Sequence, residues 1–130
     1  MRRFEFRAWN LEDKIMHTTA FPTWNGSYEV WADNKPQTET EWLTNGPERE
    51  CILMQFTGLK DKNEKDIYEG DIVGDKGDPN YFVIVWDKKY ASFAAKLQNN
   101  NSNLLNEINE DWMKELSVIG NVHENPELLG

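Results

Sequence analysis

One cysteine, Cys51, and two histidines, His17 and His123, are all the thiol and imidazole groups that this 130-residue chain has. A single thiol excludes an intrachain disulfide and a thiolate metal cluster, and it fits a reducing compartment. The histidines lie far apart with no His-x-x-x-His spacing, so a zinc site lacks a nucleus. No apolar run is long enough to cross a bilayer, and the N-terminal MRRFEFRAW has no signal-type apolar region. The expectation is a cytoplasmic protein with no metal, no cofactor and no membrane partner.

Basic charge is also scarce. The formal net charge is -9, from 14 Lys and Arg against 23 Asp and Glu. Residues 1–65 carry nine basic and eleven acidic side chains, net -2; residues 66–130 carry five and twelve, net -7. An acidic body is repelled by phosphate backbones, which disfavours nonspecific nucleic-acid binding. It permits a basic partner surface or imitation of DNA charge, although a solubilising surface is the simpler account. Aromatic platforms that bind single strands are interleaved with Lys and Arg, whereas here only Lys88 and Lys89 follow the aromatic run at 81–86.

Catalytic patterns are missing too. There is no Gly-x-Ser-x-Gly elbow, and Cys51 follows Glu48-Arg49-Glu50, a context that disfavours a thiolate. Gly58, Gly74 and Gly77 lack the Lys-Ser/Thr and helix of a phosphate loop. Asp61-x-Asn63 opens like a calcium loop but fails at Lys65 and Asp66, where an acid or amide and a glycine are required. The pairs Glu69/Asp71 and Asp75/Asp78 are expected by chance among 23 acids, and Glu69 and Asp71 suit backbone hydrogen bonds around Gly70. No residue is assigned a catalytic role, and the chain is expected not to be an enzyme.

What the chain does have is strand-forming sequence. Phe4, Phe6 and Ala8 alternate with Glu5, Arg7 and Trp9, and Asn10 to Asp13 turns the chain into a partner strand at 14–19. Ile52 to Phe56 is an apolar run interrupted at Thr57-Gly58, where a bulge or a close backbone approach is expected. The charged stretch 60–65 is a turn with Asn63 as its left-handed residue. Ile67-Tyr68 returns, and Glu69-Gly70-Asp71 corners into Ile72-Val73. Tyr81 to Trp86 is the strongest strand, read as buried on both faces, with 90–97 pairing back. A helix is expected from an N-cap at Ser102 or Asn103 through Leu104, Ile108 and Trp112, either stopping near Asn109 or running on toward Leu116. Ser117 to Val122 reads as a closing strand.

Three of these stretches, FRAWN near the start, LMQFTGLKDKNEKDIYEGDIV in the middle and VIGNVHENPELL at the end, resemble the YopX family of small phage and prophage proteins. The resemblance implies a mainly β fold with one short helix: a small SH3-like barrel with an N-terminal hairpin packed on it, in one domain over 1–130. It implies a bacteriophage or prophage origin and no particular activity. One departure is visible, because the family's turn reads Asn-Gly and here Glu64 follows Asn63. A two-residue type I′ turn wants positive φ at both central positions, so a longer or differently shaped turn is expected.

Between Ala20 and Glu50 the composition changes. Pro22, Pro36, Pro47, Gly26 and Gly46 argue against long regular elements, although Tyr28, Val30 and Trp31 suit one short strand. Trp24, Tyr28, Trp31 and Trp42 lie in this polar setting, either packing the loop down or standing available to a partner. They are the candidate partner-binding residues. The expected function is contact with another protein, by self-association or with a host or phage factor; the alternative is a nucleic-acid-associated or DNA-mimicking role.

Overall fold

The computed structural model describes residues 5–24, 28–34, 39–44, 51–75, 77–98 and 105–129, and between 21 and 44 the backbone course alone. The chain is mainly β, with one short helix, and it divides into two compact units, Met1–Phe56 and Thr57–Gly130.

The first unit is built from β1 (Phe6–Asn10), β2 (Ile15–Trp24), β3 (Tyr28–Asn34), β4 (Glu39–Thr44) and the first half of β5 (Cys51–Lys60). Their order across the sheet is β4-β3-β2-β1-β5, with antiparallel pairing throughout. The β1–β2 connection is anchored by Asn10, whose Oδ1 accepts from the N–H groups of Glu12 and Asp13. Ala8, Ala20 and Cys51 form a small buried cluster, with Phe6 and Leu53 against it. Alternation along β1 explains the choice: Phe6 and Ala8 fall on the same face, and Ala8 lies opposite Leu53.

The strands of the Ala20–Glu50 region are longer than its composition suggests. β2 continues through Pro22 to Trp24, and β3 and β4 each form a regular ladder. Pro22 lies past Ala20, the last β2 residue that pairs with β1 among the described residues. Beyond it, among the described residues, β2 has a neighbour on the β3 side alone. A proline in a singly paired stretch need not cost a ladder hydrogen bond.

The second unit begins in the last residues of β5, which lead into β6 (Asp66–Tyr68). Gly58 lies within β5 at φ +90 with nothing within 4 Å of an added Cβ, so the interruption is conformational and not a matter of crowding. A five-stranded antiparallel sheet follows, from β7 (Asp71–Gly74), β8 (Tyr81–Asp87), β9 (Ser92–Leu97), β10 (Leu105–Glu107) and β11 (Ser117–Asn121), in the order β10-β9-β8-β7-β11. It curls as a half-barrel. Ile67, Val73, Ile84, Ala95, Met113 and Leu116 fill its core, with Phe82 and Trp112 edge-to-face at 5.3 Å beside them. Ile67 and Ile84 are essentially sealed from solvent, each contributing roughly 2 kcal/mol of apolar burial.

Two elements differ from the sequence expectation. The helix α1 is Glu110–Met113, and the stretch expected to be its start is strand β10, paired with β9. The expected N-cap at Ser102 or Asn103 lies outside the described residues. Asn109 decides the outcome: its extended backbone and its Oδ1, accepting from Trp112 N–H at 2.8 Å, make it the cap where the periodic reading placed helix interior. Ile108 and Trp112 still pack on the core as their spacing implied. The second difference is the β5–β6 turn. Its left-handed residue is Glu64, at φ +64, and not Asn63.

Candidate functional site

Several Asp and Asn side chains among the described residues are committed to turns. Asp61 is 2% exposed. Its Oδ1 accepts from the N–H groups of Asn63 and Lys65 at 2.8 and 2.9 Å, and its Oδ2 from that of Val118 at 2.8 Å. The backbone closes the same turn, with Asp61 N–H to Lys65 O and Glu64 N–H to Asp61 O. This is a three-residue loop, a type I turn followed by a left-handed residue, which answers the departure at Glu64. The residue that opened like a calcium loop is thus a backbone clamp.

Three other aspartates and Asn121 do the same. Asp71, buried, accepts through Oδ2 from Tyr68 N–H at 2.8 Å, across a corner where Gly70 takes φ +87. Asp78 Oδ1 accepts from Asn80 N–H, and Asp87 Oδ1 from Lys89 N–H. Asn121 Oδ1 accepts from the N–H groups of His123 and Glu124, while its amide donates to Glu124 Oε1. Short Asp and Asn side chains that take backbone N–H groups two or three residues on are a local device for fixing turns. Among the described residues no group of three or more His, Cys, Asp and Glu is placed to hold a metal ion. His17 and Cys51 are both buried in the first unit.

One exposed ion pair has a definite effect on titration. Lys114 Nζ lies 2.8 Å from Glu110 Oε1, one helical turn away. Hydrogen bonding to Lys114 and its charge hold the Glu110 carboxyl below the ordinary carboxylate range, and Glu110 holds the Lys114 ammonium above its ordinary range.

Among the described residues four large apolar side chains are exposed, Ile15, Ile119, Trp86 and Tyr90, and the two most exposed share one hairpin. Trp86 is 44% and Tyr90 62% exposed, at the end where β8 turns into β9. Trp86 is supported from below by Phe93, edge-to-face at 5.0 Å, and Lys89 Nζ lies 5.4 Å from the Tyr90 ring centroid. The expected burial of YFVIVW on both faces holds only at its centre, Val83 and Ile84; Tyr81, Phe82 and Val85 are half-buried and Trp86 is exposed. The sequence carried a usable signal: Trp86 stands next to Asp87-Lys88-Lys89, so its end of the strand borders a turn.

The four aromatics of the 20–50 region are not brought together on one face. Trp24 lies opposite Tyr28 on β2 and β3. Phe21 lies opposite Trp31, and Trp31 opposite Trp42, so these three occupy one continuous row across β2, β3 and β4. Alternation from the buried Ala20 puts positions 22 and 24 on its face and position 21 on the other. Trp24 and Tyr28 thus share a face with Ala20, and Trp31 and Trp42 take the opposite one.

Comparison with known proteins agrees with this architecture. The sequence model of a family described as YopX protein matches residues 5–130. Comparison with curated proteins gives no match. Among solved structures, the crystal structure of protein EF1440 from Enterococcus faecalis is similar, with a TM-score of 0.65 and 26% identity over 100% of both chains.

Proposed function

The chain belongs to the YopX family, and from that premise we propose that it is a non-catalytic phage- or prophage-encoded protein that works by protein–protein contact and associates with itself. The observation that carries the protein-contact reading is the pair Trp86 and Tyr90, two large aromatics held in the open at a hairpin end. Aromatic side chains on a rigid support are the usual anchors of protein interfaces, because they bury much area while losing little conformational freedom. The commitment of the buried Asp and Asn side chains to turns supports the non-catalytic half.

Light scattering on the purified protein tests self-association: a mass above the 15.2 kDa of one chain is expected, and a monomer at high concentration removes that half. For contact with another factor, immobilised wild type and a Trp86→Ala/Tyr90→Ala variant are exposed to host extract. A protein held by the wild type and lost from the variant is expected; equal retention removes the hairpin as the contact surface.

The charge distribution favours one other reading, since residues 66–130 carry net -7. A protein imitating DNA would displace a DNA-binding protein from its site without binding DNA itself. A mobility-shift titration at low salt separates this from direct binding, which weakens as salt is added.

A further inference from the structure

Four strands lie at the ends of the two sheets: β4 and β6 in one, β10 and β11 in the other. An end strand offers backbone N–H and C=O groups to whatever chain can pair with it. Three of the four are poor templates. β6 and β10 are three residues long. On β11 the N–H of Val118 is taken by Asp61 Oδ2 and that of Asn121 by Asn125 Oδ1. β4 remains: six residues, paired with β3 on one side and, among the described residues, with no strand on the other.

We propose that β4 pairs antiparallel with β4 of a second copy of this chain, about a two-fold axis at Trp42. The inference rests on the self-association put forward above and names its route. Its register follows from symmetry. In an antiparallel ladder, hydrogen-bonded and non-hydrogen-bonded pairs alternate, so a two-fold axis must set one residue opposite its own copy. Thr40 or Leu43 at the axis leaves only about three residues of β4 paired. Glu41 at the axis sets two carboxylates directly opposite, which is unfavourable. With Trp42 at the axis, Glu41 lies opposite Leu43, Thr40 opposite Thr44, and no acid faces an acid. The same register prolongs the row Phe21–Trp31–Trp42 into the second chain, giving one aromatic row across six strands.

Cysteine placement tests this. Residues opposed across an antiparallel pair have Cα atoms roughly 4.5–5.5 Å apart, within the span of a disulfide. Cys51, the native cysteine, is fully buried and does not compete. Under mild oxidation Trp42→Cys is expected to form covalent dimer about tenfold or more faster than Leu43→Cys or Thr40→Cys, as paired thiols share a high effective concentration. A Thr40→Cys/Thr44→Cys variant keeps the tryptophan and is expected to cross-link as readily, which guards against a folding defect in the first variant. If the wild type is a dimer and neither variant cross-links faster than Leu43→Cys, the β4 route is overturned while self-association stands. If the wild type is a monomer, both are overturned.

Discussion

Asp61 and Val118, 57 residues apart in the chain, are joined by a 2.8 Å hydrogen bond from the Val118 N–H to the Asp61 carboxylate. The same carboxylate holds two N–H groups of its own turn, and the Lys62 N–H bonds to Leu116 O alongside. One buried side chain therefore closes a local turn and ties it to the last strand of the half-barrel.

Removing that carboxylate strands three backbone donors at once. Asp61→Ala is expected to destabilise the protein by about 2–4 kcal/mol, since hydrogen bonds to charged acceptors contribute more than neutral ones. Asp61→Asn, which keeps one carbonyl acceptor, should lose less. Urea unfolding checks both: the midpoint falls with an unchanged slope if the native state alone is affected.

Glu64 occupies a left-handed position at φ +64, where a side chain crowds the backbone. The cost is about 1 kcal/mol or somewhat more relative to glycine, partly offset by the greater freedom glycine has when unfolded. Glu64→Gly is therefore expected to raise stability by about 0.5–1 kcal/mol. A higher thermal midpoint is the expected result, and a lower one would show that Glu64 makes contacts outweighing its strain.

Trp86 and Tyr90 should separate in a stability measurement. Trp86 leans on Phe93, so Trp86→Ala is expected to cost about 1 kcal/mol. Tyr90 is largely in solvent, and Tyr90→Ser should move stability by less than about 0.5 kcal/mol. Tyr90→Ser is the cleaner probe of partner binding, because any loss it causes is not a loss of fold.

The Glu110–Lys114 pair sets a pH window. The Glu110 carboxyl is depressed, so its contribution is present above the ordinary carboxylate range and is lost as pH falls through the folded value. The Lys114 ammonium is raised, so its contribution is present below the ordinary lysine range and is lost as pH rises through the folded value. Lys114→Met should therefore change stability only between those limits, and slightly, because both groups are exposed and screened by solvent. Thermal midpoints of the two proteins across that range are expected to converge at both ends.

The β architecture was legible wherever apolar alternation or dense β-branched sequence marked a strand. β5, β7, β8 and β11 all begin within about two residues of their expected places, an ordinary margin for strand ends. The helix was misplaced because Leu104, Ile108 and Trp112 satisfy helical spacing in a register that tertiary pairing with β9 overrides. Asn109 was the available sign, a residue that prefers a cap to an interior. The 20–50 strands were underestimated because Pro22 reads as a breaker, whereas it lies within β2 opposite Val30 of β3. The strand registers of Trp24, Tyr28, Trp31 and Trp42 were not legible, because they depend on turns outside the periodic pattern. Trp86 was hidden by its own strand: five apolar neighbours made it read as core.

Cys51 is the only thiol, and it is fully buried within the first unit beside Ala8 and Ala20. Its modification by a disulfide reagent requires an opening that exposes it, so the labelling rate times the opening of the structure around Cys51. A chain with a single internal sensor of this kind allows that opening to be timed without any engineered label.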